Sequence, residues 1–192
     1  MVKNLFISLV LIVSLFMNTV SAEVFQYVGS EFDWALLSKQ EKTERISNIY
    51  KLMFPDGKTK NYTRKEFKTM FKRHWKDNDY KTHYDALEAG YRDYKNVKLE
   101  PYYYKNSDTM YMYALQYKND LTKTYYYSSF GKLRFVDIRT GDIKNCPCQI
   151  KRYKTNGKLV RSAYIQSKDI IYLYDNNGNF EGVQYKSTLY TN

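Results

Sequence analysis

The sequence predicts an α+β protein, with N-terminal helical hairpins followed by an antiparallel β-meander of repeated hairpins. Apolar residues recur at helical spacing in the first half, whereas short Tyr-, Ile- and Val-rich runs alternate with Gly-containing turns in the second. The composition changes near Pro101, because 15 of the 22 Tyr residues follow it. We therefore expect an N-terminal targeting segment over 1–22, a helical region over 23–100 and a Tyr-rich antiparallel β region with hairpin repeats over 101–192.

Residues 1–22 have the order of a secretory signal peptide. Lys3 gives a positive start, an apolar run extends from Leu5 to Met17, and Val20-Ser21-Ala22 places small residues at the cleavage site. The run is shorter than the roughly 20 residues that a membrane-spanning helix requires. An uncleaved membrane anchor is the alternative. We expect an exported protein that is periplasmic, on the cell surface or secreted, with no membrane span after removal of the signal.

Two capping boxes mark the starts of helices. Ser38 with Glu41, and Thr63 with Glu66, each pair a hydroxyl that accepts an early backbone N–H with a carboxylate that reaches back to the cap. Apolar or aromatic residues on one helical face follow both boxes: Ile46, Ile49, Tyr50 and Met53 after the first, and Phe67, Met70, Phe71 and His74 after the second. Pro55-Asp56-Gly57 is expected to end the first helix.

A third helix is predicted by a heptad-like stripe of apolar residues. The stripe consists of Tyr80, Tyr84, Leu87, Tyr91 and Tyr94. The same segment contains carboxylates at positions 1, 3, 9 and 12 of a calcium-binding EF-hand loop, namely Asp77, Asp79, Asp85 and Glu88. Thr82 stands where that loop requires Gly, so we prefer the helix, and we expect neither a metal nor another cofactor.

Residues after Pro101 have the composition of strands and turns. The strand-like runs are Met110 to Tyr117, Thr124 to Tyr127, Leu133 to Ile138, Leu159 to Ile165 and Ile170 to Tyr174. The turn signals between them are Phe130-Gly131, Thr140-Gly141, Asn156-Gly157 and Asn177-Gly178. Because Asn-Gly supplies the positive φ angles of tight turns, these pairs predict hairpins.

Three of the turns lie in related segments. Tyr127–Leu133, Tyr153–Leu159 and Tyr174–Phe180 each have a Tyr four positions before a Gly, and an apolar residue two positions after it. A degenerate fourth copy is Tyr104–Met110, in which Asp108 replaces the Gly. An internal repeat of this kind indicates one structural unit, here a hairpin, that stacks on its copies.

The repeat resembles a known class of bacterial hairpin modules. The segment from Tyr153 to Tyr164 is similar to one unit of the MORN-like repeats of the YwqK type, and the segment from Tyr172 to Phe180 resembles the YD repeats of large secreted bacterial proteins. The resemblance covers at most residues 104–190. It implies hairpins and a structural or interaction role rather than catalysis, and this chain lacks the further glycines of a full MORN repeat.

The net charge of +11 suggests an anionic partner. Lys65, Lys68, Lys72 and Lys76 fall near one face of the second predicted helix and form a candidate binding stripe; a solvated helix face is the alternative. Sheet tyrosines with candidate stacking roles are Tyr125, Tyr127, Tyr153, Tyr172 and Tyr174, which alternatively fill half-buried strand positions. Because we expect export, a nucleic-acid partner is not favoured.

Catalytic and redox chemistry have few candidate residues. His74 and His83 are the two imidazoles of the chain, and either is a candidate base or simply a packed side chain. No nucleophile elbow, zinc-protease motif or phosphate loop is present in the sequence. Cys146 and Cys148 form a candidate disulfide or redox pair, a half-site for a soft metal or partner cysteine, or an ordinary clip in a loop.

These patterns favour an exported, non-enzymatic interaction or structural protein. Its expected partner is an anionic cell-envelope polymer, a glycan or another protein, bound by the basic and Tyr-rich β region. The alternative is a small basic exported hydrolase or nuclease-like toxin that uses His74 or His83.

Overall fold

The structure, a computed structural model, describes residues 33–72, 74, 80–142 and 145–191. The chain divides into two compact units. The first unit comprises Met1–Thr59, Gly141–Ile150 and Arg161–Asn192, and the second comprises Lys60–Thr140 and Lys151–Val160. The predicted signal peptide over 1–22 lies outside the described residues.

Three helices lie in the described part of the chain: α1 over Lys39–Met53, α2 over Arg64–Met70 and α3 over Tyr80–Glu88. Both predicted capping boxes are confirmed. The Ser38 hydroxyl accepts the Glu41 N–H at 3.2 Å, and the Glu41 carboxylate accepts the Ser38 N–H at 2.8 Å. Thr63 and Glu66 make the same pair of bonds at 3.2 and 2.7 Å. These hydrogen bonds to the cap residues lower the pKa of both glutamates.

The third helix is shorter than the tyrosine stripe predicts. It ends at Glu88, so the prediction of one helical stripe from Tyr80 to Tyr94 is wrong over its second part. Gly90 adopts φ +84°, which favours glycine and ends a right-handed helix, and its N–H donates to the Leu87 carbonyl. Tyr94 then lies in a strand. Tyr91 and Tyr94 thus keep the heptad spacing in the sequence although they lie beyond the end of the helix.

The remaining elements are ten strands: β1 Asp93–Tyr94, β2 Val97–Tyr103, β3 Met110–Tyr117, β4 Asp120–Ser128, β5 Leu133–Gly141, β6 Cys148–Lys154, β7 Leu159–Ile165, β8 Ile170–Tyr174, β9 Phe180–Tyr185 and β10 Thr188–Tyr190. They are hydrogen-bonded in chain order in one antiparallel sheet. The predicted α+β class, with N-terminal helices and an antiparallel meander, is thus confirmed. The bounds of β3, β7 and β8 match the predicted strand-like runs.

Pro101 lies inside β2, where its Cα partner is Tyr113 of β3. A proline has no N–H to donate, so it suits a strand position at which only one of the two edges of the strand is hydrogen-bonded to a neighbouring strand. The short strand β1 pairs only with Val97 and Lys98, and Pro101 lies beyond that pairing. The composition shift near Pro101 therefore falls within a strand.

Three hairpin turns share one hydrogen-bond pattern. In each, the last residue before the turn donates its N–H to the carbonyl of the residue four positions later in the chain. The glycine three positions after that first residue donates its own N–H to the carbonyl of the first residue. The glycines are Gly131, Gly157 and Gly178, with φ values of +73°, +84° and +87°. These angles match the glycine-terminated three-residue hairpin loop and explain why glycine stands at these positions.

Each unit has its own hydrophobic core. In the second unit, Phe67 and Phe71 of the α2 segment and Leu87 of α3 pack with buried side chains of β2–β7, including Tyr113, Tyr125, Tyr127 and Tyr153. In the first unit, Ile49 and Met53 of α1 pack with Tyr172 and Tyr174 of β8. Truncation of a buried aromatic side chain typically costs about 3–5 kcal/mol, so these contacts hold the helices on the strands.

The first unit also has a second apolar cluster. Ile171 and Leu173 of β8 pack there with Cys148, Ile150, Ala163 and Ile165. Because neighbouring strand residues point to opposite faces, Ile171 and Leu173 lie on the face opposite Tyr172 and Tyr174. Both faces of β8 are therefore apolar. No helix among the described residues has the length and hydropathy needed to cross a membrane.

Candidate functional site

The described part of the predicted basic stripe lies on α2 and directly after it. Phe67 is fully buried and Phe71 is 2% exposed, which turns the opposite side of the helix toward solvent. Lys65, Lys68 and Lys72 are exposed, as the sequence pattern predicted. Lys76, the fourth member, lies outside the described residues. The side chains of these three lysines are therefore accessible to a partner, whereas the aromatic residues of the same segment are buried.

The positive charge is concentrated in the second unit. Its two stretches, Lys60–Thr140 and Lys151–Val160, contain 21 Lys and Arg and 10 Asp and Glu residues, which gives +11. The stretches of the first unit contain 10 of each kind and are neutral overall. The C-terminal stretch Arg161–Asn192, which belongs to the first unit, has no net charge of its own. One unit therefore carries the whole net charge.

A cleft of about 350 Å³ lies in the second unit beside the C-terminal end of α2. Its lining includes His74, Asn96, Tyr117, Asn119, Asp120 and Lys123. The Lys123 Nζ lies 2.8 Å from the Asp120 carboxylate, which also accepts the Thr122 hydroxyl. Burial raises the pKa of Asp120, but the bonds from Lys123 and Thr122 outweigh it and lower the pKa. The charges of Lys123 and Asp120 offset each other, so the cleft is polar rather than strongly cationic.

The two histidines are packed side chains that line separate cavities. His74 is 8% exposed; its Nδ1 lies 2.7 Å from the Tyr127 hydroxyl, and its ring stacks on Tyr125 with 3.6 Å between the centroids. His83 is equally buried and lines a second cavity of about 50 Å³, whose described lining contains no carboxylate. Within the described residues, His74 and His83 thus line different cavities, and the hydrolase alternative stays a prediction.

The five candidate stacking tyrosines are buried. Tyr125 and Tyr127 are 5% exposed, Tyr153 is 2% exposed, and Tyr172 and Tyr174 are fully covered. They contact helix or sheet neighbours, such as Phe71 beside Tyr125 and Phe54 beside Tyr174. In this arrangement they fill the cores, so a binding role for these rings stays a prediction that would require the covering side chains to move.

The metal and cysteine candidates occupy unrelated places. Asp77 and Asp79 lie outside the described residues, and Asp85 and Glu88 are exposed on α3. Within the described ranges, no group of three His, Cys, Asp or Glu side chains is arranged to hold a metal ion.

Cys148 is 3% exposed in the second apolar cluster of the first unit, Cys146 is half-buried beside it, and both carry thiols. The redox role of this pair stays a prediction.

Asp120 and Lys123 line the cleft although no motif in the sequence marks them as site residues. Asp120 begins β4 after a short turn, and His74 lies more than forty positions earlier. The spacing of neighbouring residues does not indicate that His74, Asp120 and Lys123 line one cleft, because their proximity depends on how the helix packs on the sheet.

No protein-family model matches the chain, and neither a curated protein nor a solved structure matches it.

Proposed function

We propose that the protein is an exported interaction protein whose second unit binds an anionic polymer of the cell envelope or an acidic glycan. One observation carries this proposal: the second unit holds the whole net charge of +11, whereas the first unit is neutral. A charge concentrated on one compact unit attracts polyanions far more strongly than the same charge spread over a chain. Export is motivated by residues 1–22, whose pattern is that of a signal peptide.

The exposed lysines of α2 and of the position just after it are the proposed contact points. Lys65 and Lys68 of α2, and Lys72 just after it, are exposed, whereas Phe67 and Phe71 of the same segment are buried. Glu66 lies on the same helix, but its carboxylate is occupied by the Thr63 cap. The Debye length is about 8 Å at physiological ionic strength, so closely spaced lysines act on a polymer together.

We also infer that the hairpins are copies of one repeat, as in MORN-like modules. Three turns with the same hydrogen-bond pattern, each closed by a glycine at positive φ, support this inference. Tyr127, Tyr153 and Tyr174 stand at the same place before these turns, and all three are buried. The turn after Tyr103 differs, because the Tyr104 N–H donates to the Thr109 carbonyl across a longer loop. Repeats of this type provide a scaffold for binding rather than a catalytic centre.

A binding titration with defined polymers tests the proposal. The purified protein is mixed with dextran sulfate, polyphosphate or poly-L-glutamate at about 0.15 M salt, with uncharged dextran as the reference. We expect binding to the anionic polymers that weakens steadily as salt rises, and none to dextran. The triple variant Lys65→Glu/Lys68→Glu/Lys72→Glu should bind on the order of tenfold more weakly, because three cationic contacts become repulsive.

The chain offers a matched control in its neutral unit. Lys39, Lys51 and Lys58 are also exposed, and their triple replacement by Glu changes the net charge by the same amount. We expect this control to keep most of the affinity. Equal losses in the two variants would mean that only total charge matters, and absence of binding to all three polyanions would overturn the proposal.

A further inference from the structure

An exposed aromatic patch lies at one end of the sheet in the second unit. Phe130 is 88% exposed, Tyr104 is 59% exposed and Tyr103 is 44% exposed. Together with the half-buried Tyr111 they form what we call the aromatic tip, which consists of Tyr103, Tyr104, Tyr111 and Phe130. Large apolar side chains exposed together mark interaction sites more often than chance placement.

The aromatic tip is formed by two adjacent hairpin turns. The rings of Tyr104 and Tyr111 lie 5.0 Å apart between centroids. The Ser129 N–H donates to the Tyr111 carbonyl at 3.1 Å, so the turn that carries Phe130 is fixed beside Tyr111. Tyr103 pairs with Met110, the residue before Tyr111. Backbone pairing therefore holds the segments that carry these four residues beside one another, and the rings of Tyr104 and Tyr111 contact each other directly.

Phe130 is unusual for its place in the turn. Asn156 and Asn177 occupy the same position, directly before the glycine, in the other two turns that share its hydrogen-bond pattern. Asn suits a tight turn because its short polar side chain tolerates the backbone and reaches water. A phenylalanine there leaves its ring in solvent and buries nothing in the core, so folding alone does not account for it.

Cationic side chains flank the tip. Lys105 follows Tyr104, and Lys132 follows the glycine after Phe130; both are exposed. One carboxylate, Asp108, lies in the same loop as Lys105. Because the unit as a whole has a charge of +11, the electrostatic surroundings of the tip favour an anionic surface.

We propose that the aromatic tip docks the protein on the surface of an anionic lipid bilayer. Phe130 would enter the boundary between headgroups and acyl chains, the amphipathic tyrosines would lie at headgroup level, and the two lysines would contact lipid phosphates. A sugar ring stacks on one face of an aromatic side chain held against a wall, whereas both faces of Phe130 are open at 88% exposure. The tip therefore fits insertion better than stacking. This docking is additional to the polymer binding proposed above and does not depend on it.

Vesicle sedimentation tests this docking. The purified protein is mixed with vesicles of phosphatidylcholine containing 30% phosphatidylglycerol, and with pure phosphatidylcholine vesicles. We expect partition into the anionic vesicles, and about tenfold weaker partition for Phe130→Asn, because the inserted apolar ring is lost. Asn is the residue that the related turns carry, so the variant preserves the hairpin. The control is Leu36→Asn, which removes another side chain with 80% exposure from the first unit and should change little.

Each other outcome contradicts the docking proposal. Equal partition of the parent and Phe130→Asn, or equal loss in Leu36→Asn, would show that the tip does not insert. If Phe130→Asn weakens binding to dextran sulfate as much as binding to vesicles, the tip belongs to the polymer-binding surface instead. Failure of the parent to bind anionic vesicles overturns the docking even where polymer binding succeeds, so the two proposals fail separately.

Discussion

At the scale of single residues, a buried ion pair stands out in the second unit. Nε and Nη2 of Arg152 each donate to a carboxylate oxygen of Asp137 at 2.7 Å, and both side chains are less than 5% exposed. The Tyr126 hydroxyl donates to the same carboxylate at 2.9 Å, and the guanidinium lies 4.4 Å from the Tyr126 ring centroid. Burial, together with the Asp137 charge, raises the pKa of Tyr126. This network ties side chains of β4, β5 and β6 together.

Asp137→Asn should destabilise the protein by about 3–5 kcal/mol, because it leaves the Arg152 charge buried without its counter-charge. Denaturant unfolding followed by circular dichroism measures the loss. The comparison variant is Asp93→Asn, which breaks an ion pair to Lys118 whose side chains are 64% and 41% exposed. That change should cost less than about 1 kcal/mol, since water screens exposed pairs. Similar losses in both variants would contradict the assignment of the buried pair as the stronger contact.

Glu100 gives a pH-dependent prediction. Burial raises its pKa above the ordinary value of 4.5, and the nearby Arg92 charge opposes this only in part. The folded state therefore holds this proton more tightly than the unfolded state, and its contribution to stability falls as pH rises from 4.5 through the folded pKa. We expect Glu100→Gln to raise the free energy of unfolding at pH 7 relative to the parent, and the gain to vanish below pH 4.5.

Unfolding curves of the parent and Glu100→Gln between pH 3.5 and pH 8, on the order of one curve per half unit, follow this difference. Glu88→Gln, on the exposed face of α3, serves as the reference for a simple change of net charge. A gain that stays constant over the whole pH range, or that Glu88→Gln reproduces, would count against burial of the Glu100 carboxylate as the cause.

At the scale of elements, the turn at Gly157 is held by the segment that leads into α2. The Tyr62 N–H donates to the Gly157 carbonyl at 2.9 Å, and the Asn61 side chain accepts the Leu159 N–H at 2.8 Å. A Cβ atom on Gly157 would lie 2.3 Å from the Tyr62 carbonyl oxygen. Glycine is therefore required there both by its φ of +84° and by the close approach of this backbone.

Gly157→Ala should destabilise the protein more than Gly90→Ala does. Gly90 has the same φ of +84° but open space where a Cβ would lie, so its replacement costs only the backbone strain of about 1–2 kcal/mol. At Gly157 the clash with Tyr62 should add about 1–3 kcal/mol. Thermal and denaturant unfolding of the two variants give the difference. Equal losses would show that the Tyr62 segment does not hold this turn.

Elements with strong local signals were predictable from the sequence. The capping boxes of Ser38 and Thr63 placed two helix starts, because both hydrogen bonds of a box lie within four residues. The strand β6 was not predicted, since its buried Arg152 belongs to a residue type that is normally exposed. Its counter-charge Asp137 lies fifteen positions away and becomes visible as a partner only when the strands pair.

For the candidate site, the sequence predicted which lysines are exposed but did not predict which tyrosines are buried. The exposure of Lys65, Lys68 and Lys72 follows from helical spacing, because the aromatic residues between them must face the core. The burial of Tyr125 and Tyr127 did not follow from strand spacing. A period of two places a side chain on one face of a sheet, but it does not say whether a helix covers that face.

At the scale of the whole molecule, charge follows the structural units rather than the order of the sequence. Divided at Pro101, the chain beyond the predicted signal gives two segments that are both positive, with +3 and +7. Divided by compact units, the same chain gives a first unit of −1, which is neutral when Lys3 of the predicted signal is counted, and a second unit of +11. The comparison of lysine variants in the two units belongs to this scale, because total charge is the same in both variants and only its location differs.

The sequence by itself determined the class of fold, the starts of two helices, three complete strands and three of the four predicted glycine turns; Thr140-Gly141 instead lies at the end of β5. These features depend on hydrogen bonds and side-chain periods that span only a few residues. The tertiary structure decided which aromatic rings are covered, which charges are paired and which hairpin end carries an exposed phenylalanine. Those properties depend on which distant segments pack together. The large excess of charge and tyrosine thus separates into buried tyrosines that fill the cores and exposed lysines and tip aromatics that are available to a partner.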